Sequence, residues 1–321
     1  MTISRFVSCG EALIDLLPTG NETDDHFSST WSATSAGGPM TTAIALELMG
    51  ERASFLGRLS TDALGRQLRG YLEGKNVDLE LAVSTDEPTS MAVVSLDDDG
   101  RASYTFHFTD TANFAWRGEE LPELSPTDWL HTGTLAVVIE PGASVLLDWA
   151  ARQNCNLSVD LNVRPSLVED AADYWARLEP WLEVLGERRR RGFVSVVKAS
   201  DDDVNFLAGA VAPDRNAEDV FTEWIDRYGI DLGLLTLGPD GAVAVRAGSE
   251  PVRAPGHRVE LVDTISAGDT FMAGFLAAYH RHPEDVAEAL AVATAASALV
   301  VTRIGAQPPT RAEVEEFRRS R

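Results

Sequence analysis

Residues 263–271 read DTISAGDTF, a run of small and hydroxyl-bearing residues set between two apolar segments. The apolar stretch 259–262 before it reads as a short strand, and the alanine-rich amphipathic stretch 270–280 after it reads as a helix. Small residues therefore turn the chain at the mouth of a helix. The first N–H groups there have no carbonyl partner and together make an anion site. Ser266, Ala267 and Gly268 supply those groups, and Asp269 falls in the first helical turn, where the dipole favours its ionised form. Phosphoryl transfer needs this pairing: a carboxylate to accept a hydroxyl proton, beside N–H donors that hold charge on the moving phosphoryl group. Taken alone, the stretch also fits an ordinary strand–turn–helix corner with Asp as a helix-start residue.

Outward from it, the chain from Trp129 onward alternates strand and helix. WLHTG (129–133), LSVDLNVRP (157–165) and FVSVVKAS (193–200) read as strands, with helices over 143–153 and 172–185 between them. LGLLTLGPDGAVAV (232–245) reads as a buried strand, a turn at Gly238, Pro239, Asp240 and Gly241, and a second strand. Repeating βα units predict a mostly parallel sheet with helices on both faces, whose ligands gather at the carboxyl ends of the strands. Asp160, Asn162 and Arg164 sit at one such end, where Arg164 equally fits a loop salt bridge. The run ERRRR (187–191) reads as a solvated helix end, and Ser200 with Asp203 as a helix start with an acidic first turn. Residues 286–301 read as a buried helix, too short to span a bilayer.

In the first half, residues 6–10 read as a core strand that continues extended to Pro18, with Asp15 interrupting an apolar run. Residues 21–35 are polar and turn-rich, a loop or an edge. Gly37 and Gly38 then precede an apolar-periodic helix from about 41 to 49, and glycines there let a ligand approach the backbone. Residues 54–59 read as a strand, and Asp62 as a helix N-cap. TSMAVVSL (89–96) and ASYTFHF (102–108), joined by DDDG, carry a hairpin signal.

The central stretch resembles the DTxGAGD signature of the ribokinase/fructokinase (PfkB-type) family of ATP-dependent sugar kinases, and successive segments extend the likeness over nearly the whole chain. The resemblance implies one domain over residues 1–321, a three-layer α/β/α sandwich with a small β lid drawn from about 12–34 and 88–112. It implies Asp269 as general base and the backbone of Ser266, Ala267 and Gly268 as anion hole. Asp15, Gly37, Gly38, Thr41 and Arg164 would hold the sugar. Ser200, Thr236, Gly238, Asp240, Gly241 and Gly268 would hold the nucleotide, with Mg²⁺ reached by Asp203 through water. Backbone carbonyls of Asp263, Ile265, Val300, Arg303 and Gly305 match the family's monovalent-cation site, which admits K⁺. Two positions depart from the pattern. Ser266 stands where the family has glycine, so a positive φ there would carry a cost. Thr41 stands where the family has asparagine, which removes a donor–acceptor set and leaves the sugar's identity open.

The chain has 27 Lys and Arg against 50 Asp and Glu, a formal charge of −23, which repels nucleic acid and anionic membranes. Its two cysteines, Cys9 and Cys155, are far apart in sequence, and the first residues lack a basic segment followed by a sustained apolar one. A reduced, cytoplasmic protein is expected. The expected activity is phosphorylation of fructose or a related hexose or ketose. A nucleoside kinase of the same family and a non-catalytic sugar-binding relative are the alternatives. A homodimer packed through the lid is expected.

Overall fold

In the computed structural model of the chain, residues 3–19, 28–96, 102–211 and 215–320 are described. The strands are β1 (Arg5–Cys9), β2 (Leu13–Pro18), β3 (Trp31–Ala36), β4 (Ala53–Leu56), β5 (Arg58–Ser60), β6 (Val83–Thr85), β7 (Met91–Leu96), β8 (Ala102–His107), β9 (Asp128–Gly133), β10 (Asn156–Asp160), β11 (Ser195–Ser200), β12 (Leu232–Thr236), β13 (Ala242–Val245) and β14 (Val252–Ala254). The helices are α1 (Gly38–Leu48), α2 (Ala63–Gly74), α3 (Gly142–Arg152), α4 (Ala171–Arg190), α5 (Asp201–Val211), α6 (Ala217–Tyr228), α7 (Ala267–Tyr279), α8 (Val286–Val300) and α9 (Arg311–Arg319).

Eight strands form the central sheet in the order β14-β13-β12-β11-β10-β9-β1-β4. Those from β4 to β12 run parallel, and β13 and β14 return antiparallel. Parallel strands covered on both faces must be apolar along their length, and β1, β4 and β9 are buried almost throughout. Alternate side chains serve opposite faces. Val7 and Cys9 join one core with Leu146, Leu178, Val204 and Trp224, from α3 to α6. Phe6 and Phe55 join the other with Ile44, Phe275 and Leu290, from α1, α7 and α8. The result is the expected three layers.

A second sheet, β3-β2-β7-β8, stands apart from the first. In β8, Phe106 continues from Tyr104 (ring centroids 6.0 Å) toward Phe108 (4.9 Å) and then Phe114 (4.9 Å), so one face carries an aromatic row over Leu13 and Ala92. β7 and β8 pair antiparallel, as the hairpin signal requires, and the DDDG turn lies outside the described residues.

Three expectations change. Residues 259–262 are not a strand: Leu261 and Val262 are exposed, and Val262 and Asp263 donate only to the Val301 carbonyl, so the segment follows the loop after α8. The helix after it begins at Ala267, three residues earlier than its apolar pattern, because the small residues of the turn already adopt helical geometry. Of the two readings of 21–35, the edge holds for its end, which is strand β3 at the edge of the second sheet. The run 187–191 lies mostly inside α4, and Arg188 is not solvated: it is buried and donates to the Ala150 carbonyl. Asp62 caps α2 as expected, accepting from Gly65 N–H at 2.7 Å. Among the described residues no helix is long and apolar enough to cross a membrane.

Candidate active site

The carboxyl ends of β1, β9 and β10, the amino ends of α1 and α7 and the inner face of the second sheet enclose a cleft of about 420 Å³. Asp15, Gly37, Gly38, Thr41, Arg164, Ile265, Ser266, Ala267, Gly268 and Asp269 all line it. These residues are up to about 250 positions apart in sequence and meet because every parallel strand delivers its following loop to the same edge.

Ser266 turns the chain into α7 with φ 63° and ψ 11°, the left-handed conformation that glycine adopts without penalty. Its hydroxyl caps nothing and is buried without a partner among the described residues. The Ala267 N–H makes a long 3.3 Å bond to the Thr264 carbonyl. Among the described residues no acceptor takes the N–H of Ser266 or Gly268. Two donors of the proposed anion hole are thus open and the third weakly held.

Asp269, third residue of α7, points to the floor of the cleft. A β-carbon on Gly38 would lie 2.5 Å from Thr134 Oγ1 and 3.1 Å from Asp269 Oδ1, so only glycine lets α1 come this close. Burial first, and then the charge of Asp160, pushes the Asp269 carboxyl up to about 7, with Lys198 and Arg164 acting in the opposite sense. Asp15, on β2, is raised to about 6 by burial.

Arg164 is exposed at the rim, and its Nη1 donates to Asn162 Oδ1 at 2.6 Å and to the Asn162 and Val163 carbonyls. Backbone and amide oxygens therefore hold it, and among the described residues it has no carboxylate within salt-bridge distance.

Of the residues assigned to nucleotide, Gly268 lines the cleft, and the others lie farther along the same sheet edge, outside it. Ser200 and Thr236 are register partners at the ends of β11 and β12. Gly238, Pro239 and Asp240 form a single helical turn just after, closed by Leu237 N–H to the Gly241 carbonyl at 2.8 Å. Ser200 and Asp203 cap each other. Asp203 Oδ2 accepts from Ser200 N–H at 2.7 Å, Ser200 Oγ accepts from Asp203 N–H at 3.1 Å, and Asp203 Oδ1 accepts from Val163 N–H at 2.9 Å. Among the described residues no cluster of three or more acidic, His or Cys side chains could hold a metal by itself. This donor set fits a divalent ion that arrives with nucleotide phosphates and meets Asp203 through water.

Asp263 joins the two segments assigned to a monovalent cation. Its Oδ1 accepts from Ile265 N–H and its Oδ2 from Gly305 N–H, each at 2.9 Å. Val300 and Arg303 follow α8 into the same loop, where the Val300 carbonyl accepts from Arg303 N–H at 3.0 Å.

Two cleft residues, Glu11 and Thr134, and Lys198 beneath the cleft went unread in the sequence. Glu11 is fully buried between β1 and β2. Its Oε2 accepts from Ala136 N–H at 3.1 Å, its Oε1 has no partner among the described residues, and burial raises its carboxyl to about 7. Thr134 takes φ 56°, rare for a β-branched residue, and accepts from Asn162 Nδ2 at 2.9 Å. Lys198 sits on β11 with its Nζ 3.0 Å from both oxygens of Asp160. A lysine inside an apolar strand was the one available signal for it; nothing in the sequence marks Thr134.

The profile for pfkB family carbohydrate kinases matches residues 4–313. A fructokinase of Rhizobium leguminosarum bv. trifolii is 32% identical over 274 residues, 84% of this chain and 78% of its own length. An aminoimidazole riboside kinase of Salmonella typhimurium is 26% identical over 311 residues, 92% of this chain and 89% of its own. The crystal structure of a fructokinase from Vibrio cholerae O395 with fructose, ADP and calcium ion bound superposes with a TM-score of 0.82 at 25% identity, over 98% of this chain and 99% of that one.

Proposed function

Since the chain belongs to the pfkB family of carbohydrate kinases, phosphotransferases acting on a sugar hydroxyl, we propose that it is a ribokinase-fold enzyme whose acceptor is fructose or a close ketose or hexose. The observation that carries this reading is the half-buried carboxylate of Asp269 against Gly38, with the open N–H groups of Ser266 and Gly268 beside it. Asp15, Gly37, Gly38, Thr41 and Arg164 hold the sugar so that one hydroxyl faces Asp269. The carboxylate accepts that proton as the oxygen attacks the γ-phosphorus of ATP. The bond to the β–γ bridging oxygen breaks and ADP leaves. The N–H groups of Ser266, Ala267 and Gly268 hold charge on the phosphoryl oxygens throughout. Asp269 can do this because its carboxyl titrates near 7, a value matched to proton acceptance at neutral pH. Ser200, Thr236 and the Gly238–Gly241 turn carry the nucleotide. Asp203 would meet, through water, an Mg²⁺ ion arriving with the nucleotide, which would neutralise phosphate charge, and the backbone carbonyls of Asp263, Ile265, Val300, Arg303 and Gly305 would hold K⁺. The whole chain acts as one kinase domain. A second copy packs on the lid sheet, where Trp31 on its edge strand is 41% exposed; light scattering should return twice the monomer mass.

ADP release measured across a panel of sugars and nucleosides, with and without K⁺, tests the reading. Turnover should be highest on fructose or a related sugar, and Asp269→Asn should lower kcat by ~10²–10⁴-fold with ATP still bound. The Salmonella riboside kinase makes nucleosides the informative competitor: preference for a riboside would replace the sugar assignment. No release on any acceptor would leave a sugar-binding protein, and an unimpaired Asp269→Asn would remove the base.

A further inference from the structure

Beneath the first turn of α7 lies a buried ion pair whose place in the site is unassigned. Lys198 on β11 and Asp160 at the end of β10 are register partners, 4% and 3% exposed in their side chains, with Nζ 3.0 Å from both carboxylate oxygens. The pair is directional. A β-carbon on Gly268 would lie 2.7 Å from Lys198 Nζ but 3.8 Å from Asp160 Oδ2, so the positive end faces the helix turn. A buried pair of this kind is seldom maintained for stability, because apolar residues of the same volume do as well or better. Its location, against the turn that carries the open N–H groups, suggests a different use.

We propose that Lys198 is a positioning residue for phosphoryl transfer: held by Asp160, it presents the positive end of the pair to the anion hole and keeps Asp269 competent to accept a proton. This rests on the reading of Asp269 as the base. The charged groups facing Asp269 are Glu11 after β1, Asp160 at the end of β10, Arg164 in the loop beyond it and Lys198 on β11, while α1 offers only Gly38. With every carboxylate ionised, Glu11, Asp160 and Asp269 place three negative charges in a dry site, and Lys198 is the buried cation among them. Lys198 stays protonated there. Burial disfavours the ammonium, but Asp160, Asp203 and Asp269 together outweigh it and hold it above its ordinary value. His131, buried on β9, contributes no charge: burial and Lys198 lower it to about 3.

The acid limb of kcat/KM, measured at saturating Mg²⁺ with the best sugar of the panel, separates this role from a structural one. Removing the cation in Lys198→Met should move the limb up by about one pH unit. Removing the anion in Asp160→Asn should move it down, and Lys198→Arg should hold it near the wild-type position. A pair that only braced the fold would lower yield or melting temperature in both variants and leave both limbs in place. Limbs that move apart support the proposal. A Lys198→Met limb that coincides with wild type, or one that Asp160→Asn follows in the same direction, overturns it. If Lys198→Met is insoluble, Asp160→Asn against Lys198→Arg carries the same sign test. Asp269→Asn, assayed in parallel, separates the two failures. Lost turnover there with unmoved limbs sinks only the role of Lys198, whereas retained turnover sinks the base and this proposal with it.

Discussion

Glu11 and Thr41 on the proposed acceptor side of the cleft, and Asp160 and Lys198 beneath it, are all buried, whereas Gly238, Pro239 and Asp240 in the turn assigned to nucleotide are exposed. The contrast reaches down to the glycines. A β-carbon on Gly38 would strike Thr134 and Asp269, while one on Gly238 would meet nothing within 4 Å. The acceptor side is thus a set of dry, closely spaced side chains whose charges are fixed before any ligand enters. The side assigned to nucleotide is an open edge of strand ends and an exposed turn. In the proposed mechanism, discrimination between acceptors and the protonation chemistry both belong to the first, because there low dielectric makes a charge costly to misplace.

The largest effect expected from breaking this contrast comes from Gly38→Ala. The new methyl must displace Thr134, which Asn162 holds at 2.9 Å, or push α1 away from Asp269. A shift of that size should lower kcat/KM for the sugar by ~10²-fold, with KM for ATP near the wild-type value. Steady-state kinetics with each substrate varied in turn would show it; equal losses for both substrates would mean that the two sides are not separable.

Asp15→Asn sharpens the comparison from the lid. A carboxylate raised to about 6 by burial gives up hydration that a sugar's hydroxyls would restore. Losing it should raise KM for the sugar about tenfold, the scale of hydrogen bonds to a charged group. Stability should move the other way. The unfolded carboxyl ionises near 4 and the folded one near 6, so between those values the folded chain keeps a proton that the unfolded chain has lost. Its contribution to stability therefore falls as pH rises through that window. The variant should melt higher than wild type at pH 7.5 and at the same temperature near pH 4, which a pair of thermal melts would decide.

The same contrast explains how far the sequence could be read. Strand–helix alternation, Gly37 with Gly38, and the DTISAGDTF turn predicted the three layers and the edge at which ligands gather, because local propensity and chain punctuation agree with tertiary structure there. Asp269 was legible for the same reason, as an acid in the first turn of a helix after small residues. Asp160 was placed at that edge, but its pairing with Lys198 was not legible, since it exists only across two parallel strands; Glu11 was missed because its orphaned oxygen is a property of burial. The strand expected over 259–262 failed because four apolar-leaning residues carry too little pattern to outweigh the pull of the loop after α8, where Val301 takes both N–H groups.

Ser266, at the seam between the two sides, is where the smallest effect is expected. Its φ of 63° costs an L-residue about 1–2 kcal/mol relative to the right-handed region, and its hydroxyl has no partner among the described residues to offset that. Glycine would remove the strain but adds conformational freedom to the unfolded chain, worth about 0.5–1 kcal/mol in the other direction. Ser266→Gly should therefore stabilise the fold by at most about 1.5 kcal/mol, and kcat should stay within a few-fold because the N–H groups keep their directions. If kcat instead falls tenfold or more with stability unchanged, the buried hydroxyl has a partner during turnover. The anion hole would then be a side-chain device as well as a backbone one, and the division between a side-chain half and a backbone half of the cleft would have to be redrawn at this residue.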